Sequence, residues 1–94
     1  MHFVYIIKSK VDGSFYIGET SDLEKRLYWH NTEKLNIGFT KSGMPWEYFF
    51  TLKVKDKKVA KKIERHIKNM KSKKYLENLI RFPEITSKLI EKYS

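Results

Sequence analysis

"FYIGETSDLEKRLYWHN", Phe15 to Asn31, starts as a strand and finishes as a helix. Phe15, Tyr16 and Ile17 are aromatic or β-branched, the residue types that fit a pleated, half-buried surface. Ser21 and Glu24 then stand in the Ser/Thr-x-x-Glu spacing of a capping box, which satisfies amides that a first helical turn leaves free. Leu23 and Leu27 share one face at i, i+4, so the stretch predicts a helix from about Asp22 to Asn31. Gly18 lies between the two elements, where a missing side chain leaves room for another group to approach.

Working outward, "HFVYIIKS" (2–9) is a second strand signal, and "KVDGS" joins it to Phe15 through an Asp-Gly turn. Two apolar runs around such a dipeptide predict a β-hairpin. "TEKLNIGFTKSGMP" (32–45) reads as loop, and "WEYFFTLKV" (46–54) as a third strand. Asp56 can cap a helix whose apolar stripe is Val59, Ala60, Ile63, Ile67 and Met70. "KYLENLIRF" (74–82) is again helical, and "PEITSKLIEKY" (83–93) restarts with Pro83 in a first turn. The order β-β-α-β-α-α predicts an α+β fold, a small antiparallel sheet with helices against it. The 94 residues are expected to form a single domain.

The chain has no cysteine, which excludes disulfides and thiolate metal sites. The apolar run before Lys8 is too short for a signal peptide or a membrane span, and the expected location is the cytoplasm. The formal charge of +9 is localised. Residues 53–74 hold eleven Lys/Arg against Asp56 and Glu64, whereas the remainder balances nine bases with nine acids. A field of this sign attracts polyanions, nucleic acid first among them. An acidic protein partner would fit the charge too.

Several residues can carry chemistry. Arg26 and His30 are one helical turn apart, so their side chains leave the same face. The preceding strand brings Tyr16 nearby, and Tyr5 lies in the other hairpin strand. Glu64 is a lone carboxylate amid Lys61, Lys62, Arg65 and Lys68. At about 100° per residue it falls near the buried border of its helix rather than on the outer face. A carboxylate so placed can hold Mg²⁺, which often binds through one or two carboxylates plus waters and phosphate oxygens; it can also simply pair with Lys68 or Lys61. His30 can likewise cap its helix as an imidazolium. His2 and His66 have no partner histidine at metal spacing, and Trp29 and Trp46 read as core.

"VYI" at 4–6, "YIG" at 16–18, Arg26, "HN" at 30–31, Thr40 with "PW" at 45–46, and Glu64 followed by Lys68 occur in one order. Together they resemble the GIY-YIG nuclease family, especially its small bacterial single-domain members. The resemblance spans about residues 2–80 and leaves 81–94 as a C-terminal helical extension. It implies a three-stranded antiparallel sheet flanked by helices, and Mg²⁺- or Mn²⁺-dependent endonucleolytic hydrolysis of nucleic-acid phosphodiesters, with DNA favoured. By position, Tyr5 and Tyr16 match the two motif tyrosines, Arg26 the active-site arginine, Glu64 the metal-binding glutamate, and His30 a His-or-Tyr position. Three departures stand out: the first motif is Val-Tyr-Ile, Glu19 follows YIG where some relatives carry a lysine, and the asparagine that some relatives use late in the domain has only Asn78 as a nearest candidate.

Hydrolysis needs an activated water and stabilisation of negative charge on phosphate. Arg26 offers a planar fork of donors matched to phosphate oxygens, and a metal on Glu64 would act as a Lewis acid. A free phenol, with a pKa of about 10, needs nearby cations to serve as base at neutral pH. The resemblance favours Tyr16 for that task, with Tyr5 or His30 as alternatives. Lys61, Lys68 and Lys71 would contact phosphates, giving position and affinity but little sequence readout. The expectation is therefore a nuclease of structure-directed or low sequence specificity, or one targeted by another protein. The alternative is a nucleic-acid-binding module that keeps the fold without turnover.

Overall fold

The computed structural model describes residues 1–94 apart from 33, 37 and 39, so part of the 32–45 loop lies outside the described residues. Three strands, β1 (His2–Ser9), β2 (Phe15–Thr20) and β3 (Trp46–Val54), form an antiparallel sheet in the order β2-β1-β3. Helix α1 (Leu23–His30) follows β2, and α2 (Lys57–Met70), α3 (Lys73–Arg81) and α4 (Pro83–Tyr93) follow β3. This is the α+β architecture that the sequence predicts.

The hairpin turn has Gly13 at φ +74°, a left-handed conformation that glycine adopts without steric cost. The Ser9 hydroxyl accepts from the amides of Val11 and Asp12 and fixes the turn from inside. Alternation along the strands then sorts side chains between two faces. Val4 and Ile6 pack with Val59, Ala60, Ile63 and Ile67 of α2 and with Leu76, Leu79 and Leu89 of α3 and α4. Tyr5 and Ile7 face the other way, joining Trp46, Leu23, Leu27, Tyr16 and Tyr48 beneath α1.

One irregularity positions the site. Tyr5 pairs with Thr51 and Ile6 with Phe50, yet Ile7 pairs with Tyr48, so Phe49 is the extra residue of a bulge in β3. A bulge reverses the facing of everything beyond it. Phe49 and Phe50 therefore both pack on the α2 side, with Phe49 edge-on to Phe15 at 4.8 Å. Tyr48 and Trp46 turn instead toward Tyr5.

The helix caps are local. Asp22, not Ser21, caps α1 by accepting from the Lys25 amide at 3.0 Å. Asp56 caps α2 as expected, accepting from Val59 at 2.9 Å. Met70, placed in the buried stripe by periodicity, is 44% exposed as the last residue of α2. Lys71 ends α2 in the left-handed region at φ 47°, a conformation that costs an L-residue roughly 1 kcal/mol. Lys71→Gly is expected to stabilise the fold by up to about 1 kcal/mol, raising Tm by about 4–8 °C in a thermal melt.

Candidate active site

Tyr5 is the centre of the arrangement. Its Cα partner across the hairpin is Gly18, and the phenol lies over that glycine so closely that a Cβ there would sit 2.5 Å from Tyr5 Oη. Gly18 is thus the slot that admits the ring. The phenol is 2% exposed, and Tyr48 packs against it edge-on with centroids 5.8 Å apart. The Tyr48 hydroxyl donates to the Leu23 carbonyl at the first turn of α1, tying β3 to that helix.

His30 closes α1 and holds the far side of Tyr5. Nε2 meets Tyr5 Oη at 2.9 Å and Nδ1 meets Thr40 Oγ1 at 3.1 Å, both contacts buried. Asn36 donates to the His30 carbonyl at 2.8 Å. Burial, with the neighbouring Arg26 charge second, pushes the imidazole down to about pKa 4. At neutral pH the ring is uncharged, which corrects the expectation of an imidazolium helix cap: dehydrating a cation here costs more than the helix terminus returns. With both nitrogens engaged and 2% of the residue exposed, His30 orients Tyr5 rather than meeting solvent. Burial likewise raises Tyr5, reinforced by Tyr16 and opposed by Arg26, and pushes Tyr48 up to about 12.

A pH dependence follows from His30. In the unfolded chain its imidazole titrates near 6.5 and in the folded chain near 4, so between these values the unfolded state binds the extra proton. His30's contribution to stability is complete above pH 6.5 and is lost as pH falls toward 4, by roughly 3 kcal/mol in all. Urea unfolding at pH 7.5, 6, 5 and 4 should show this loss, and His30→Gln should flatten that part of the curve.

The charged groups close around the two tyrosines. Tyr16, on β2, lies 5.4 Å from the His30 ring. Arg26 stacks its guanidinium 5.7 Å from the Trp29 ring and makes no ion pair among the described residues. It lines a groove of about 360 Å³ with Thr20, Asp22, Lys25 and Trp29. Trp29, expected in the core, is half-buried on this groove instead. Glu64 and Lys68 come from α2, which also packs on β2. The Glu64 side chain is only 17% exposed and takes Lys68 Nζ at 2.7 Å; the same ammonium lies 5.9 Å from the Tyr16 ring. The charges of Arg26 and Glu64 both reach the Tyr5 phenol. Tyr5, Gly18, His30 and Tyr16 thus form one cluster, Lys68 links Glu64 to it, and Arg26 lies one helical turn before His30, although 59 positions separate Tyr5 from Glu64.

Lys61 and Lys71 are exposed and outside this cluster; Lys71 lines a separate cleft with Lys68, Lys73, Phe15 and Leu76. Other contacts tie the quoted motifs together. Asn31 clamps the Trp46 backbone, donating to its carbonyl at 2.9 Å and accepting from its amide at 2.6 Å. Trp46 Nε1 in turn donates to the Thr40 carbonyl at 2.7 Å, so "HN", Thr40 and "PW" form one brace behind Tyr5. Glu19 meets His2 at 2.6 Å, giving that histidine a carboxylate partner that the sequence did not reveal.

Among the described residues no three His, Cys, Asp or Glu side chains cluster as a metal cage. Glu64 supplies one half-buried carboxylate, a donor set that suits a hard cation completing its shell with water and substrate phosphate. Lys68 holds that carboxylate now, on an exposed and flexible stem that can swing aside.

No helix among the described residues is long and apolar enough to cross a membrane. Residues 1–77 match the GIY-YIG catalytic domain. The chain is 38% identical to the UPF0213 protein YazA of Bacillus subtilis over 73 residues, 78% of this chain and 72% of that protein. It is 36% identical to a UPF0213 protein of Staphylococcus saprophyticus over 76 residues, 81% of this chain and 90% of that one. Against the UPF0213 protein YsiG of Lactococcus lactis the identity is 33% over 90 residues, 96% and 85% of the two chains. No solved structure matches significantly. The sheet order, the tyrosine pair on its hairpin and the match over 1–77 agree, and the chain belongs to the GIY-YIG catalytic domain family, a nuclease family.

Proposed function

We propose that this chain is a divalent-metal-dependent endonuclease that hydrolyses nucleic-acid phosphodiesters, DNA before RNA, selecting its substrate by shape or through a partner rather than by sequence. The observation that carries this reading is that Lys68 brings the Glu64 carboxylate of α2 beside the Tyr16 ring, on the hairpin whose Tyr5 is held by His30 from α1, the helix that also carries Arg26. A guanidinium with no ion pair among the described residues and a half-buried carboxylate would supply a phosphate clamp and a cation ligand.

Arg26 donates to the non-bridging phosphate oxygens, whose geometry its fork matches. Tyr5 stays protonated, since burial raises its pKa, and so acts as a hydrogen-bond donor and not as a base. His30 keeps that phenol in place through Nε2. Tyr16 gives up its phenolic proton to solvent and, as phenolate, takes the proton of the attacking water, and the Lys68 ammonium beside its ring offsets the phenolate charge. Lys68 thereby stands where Glu19, turned to His2, cannot serve. Glu64 would hold Mg²⁺ or Mn²⁺, which supplies Lewis-acid stabilisation to the phosphate and the departing oxygen. The water oxygen becomes bonded to phosphorus as the bond from phosphorus to the ester oxygen breaks, and that oxygen takes a proton from solvent and leaves as a hydroxyl.

The test incubates the protein with branched, flapped, nicked and linear DNA and the matching RNAs, with Mg²⁺, with Mn²⁺ and with chelator. Metal-dependent cleavage is expected on at least one substrate, reduced about 10²–10⁴-fold by Tyr16→Phe. Binding on every substrate with cleavage on none would replace this reading with a nucleic-acid-binding module.

A further inference from the structure

The opposite flank of α2 carries a second feature that the cluster around Tyr5 does not use. Between α2 and α4 lies a cleft of about 420 Å³ lined by Lys62, Arg65, His66, Asn69, Met70 and Tyr93, a volume in the range of small-ligand pockets. His66 Nδ1 and Tyr93 Oη are 2.9 Å apart, their rings stand edge to face at 5.7 Å, and Tyr75 lies 6.3 Å from His66 on the other side. Lys92 places its ammonium 5.4 Å from the Tyr93 ring. Lys62 and Arg65 are exposed, and Met70 leaves 44% of its surface in solvent. In the sequence His66 has no partner histidine at metal spacing and no apparent role. The structure puts it and Tyr93 on the wall of a cationic, aromatic concavity.

We propose that this cleft binds an unpaired nucleotide of the nucleic acid that the nuclease site engages, which makes the preferred substrate one with a single-stranded segment; the proposal rests on the nuclease reading above. Two properties point to that occupant. Aromatic rings beside cations are the recurring platform for single-stranded nucleic acid, because every unpaired base offers a π face while its phosphates seek positive charge. A duplex hides those faces in its stack and cannot enter a concavity of this size. The helical wheel joins the two sites: at about 100° per residue, Glu64 and His66 lie on opposite borders of the exposed face of α2. Lys61, Arg65 and Lys62 occupy the face between them. A strand passing Glu64 crosses one cationic helix face and arrives at the cleft. α4, which supplies Tyr93, lies beyond the 1–77 match, so this wall is an addition to the shared domain.

The test measures binding in chelator, where it does not depend on turnover. Anisotropy titrations use a fluorescent 20-nucleotide oligothymidylate and a blunt 20-base-pair duplex, against wild type, Lys62→Ala/Arg65→Ala, and the charge-matched control Lys10→Ala/Lys41→Ala, exposed lysines outside α2. The cleft pair should lose single-strand affinity about tenfold or more, with a salt dependence shallower by about 1.4 in log–log slope, the loss of two single-strand phosphate contacts. The control pair should lose less than about threefold, and duplex binding should change little in either. Photo-crosslinking of a 5-iodouracil oligonucleotide should label His66, Tyr75 or Tyr93, and Tyr93→Phe, which keeps the ring, should retain it. Equal losses in the two double variants, absence of a single-strand preference, or crosslinks confined to other elements would overturn the assignment. Because no cleavage is read, these outcomes stay separate from a failure of the nuclease reading, which appears as absent metal-dependent cleavage by wild type.

Discussion

Glu64→Gln is expected to lower phosphodiester cleavage by about a thousandfold or more while nucleic-acid affinity holds or rises. The substitution keeps the shape of the side chain and removes the one carboxylate that α2 carries. Losing about 4 kcal/mol of stabilisation of the phosphorane-like charge corresponds to that factor. The fold should barely notice. Glu64's partner Lys68 is 47% exposed, and pairs of this kind contribute at most about 1 kcal/mol. With the carboxylate gone, Lys68 is free to face phosphate and a negative charge leaves the binding surface, so affinity has no reason to fall. Single-turnover cleavage with Mg²⁺ and Mn²⁺, beside anisotropy in chelator, separates the two quantities. Cleavage by Glu64→Gln at the wild-type rate would remove Glu64 from the reaction.

Local signals in the chain were enough for the elements. An Asp-Gly turn between two apolar runs produced the hairpin, and Asp56 capped α2 where the periodic stripe begins. The site was less legible, for reasons specific to each residue. Nothing in "WEYFFTLKV" marks Phe49 as a bulge, yet the bulge decides that Tyr48 faces Tyr5; strict alternation would place it with Phe50. Arg26 and His30 share a helix face by spacing, but only burial makes the histidine neutral. Met70 and Trp29 fit an apolar pattern and are not core, because periodicity says which side a residue faces and not how far the opposing layer extends. His2 and Glu19 are 17 positions apart and meet only because β1 and β2 pair.

Gly18→Ala should be the most damaging single-methyl change in the sheet, costing on the order of 3 kcal/mol and lowering Tm by about 12–24 °C. The added Cβ would stand 2.5 Å from Tyr5 Oη, 2.6 Å from Cζ and 3.0 Å from Cε2, so the ring has to move. It has nowhere to go: Tyr48 packs on it edge-on, His30 holds its hydroxyl, and the residue is 2% exposed. Tilting the ring breaks the 2.9 Å bond to His30 and leaves a buried polar pair unsatisfied, which adds to the cost of overpacking. The cause can be isolated with Tyr5→Leu, which removes the ring and the clash together. If Gly18 is there to admit that ring, Gly18→Ala on the Tyr5→Leu background should cost less than about 1 kcal/mol, a coupling of roughly 2 kcal/mol by double-mutant cycle. Urea denaturation of the four proteins reads it directly. Additive costs would mean that the glycine serves the strand backbone and not the phenol, and that Tyr5 owes its position to His30 and Tyr48 alone.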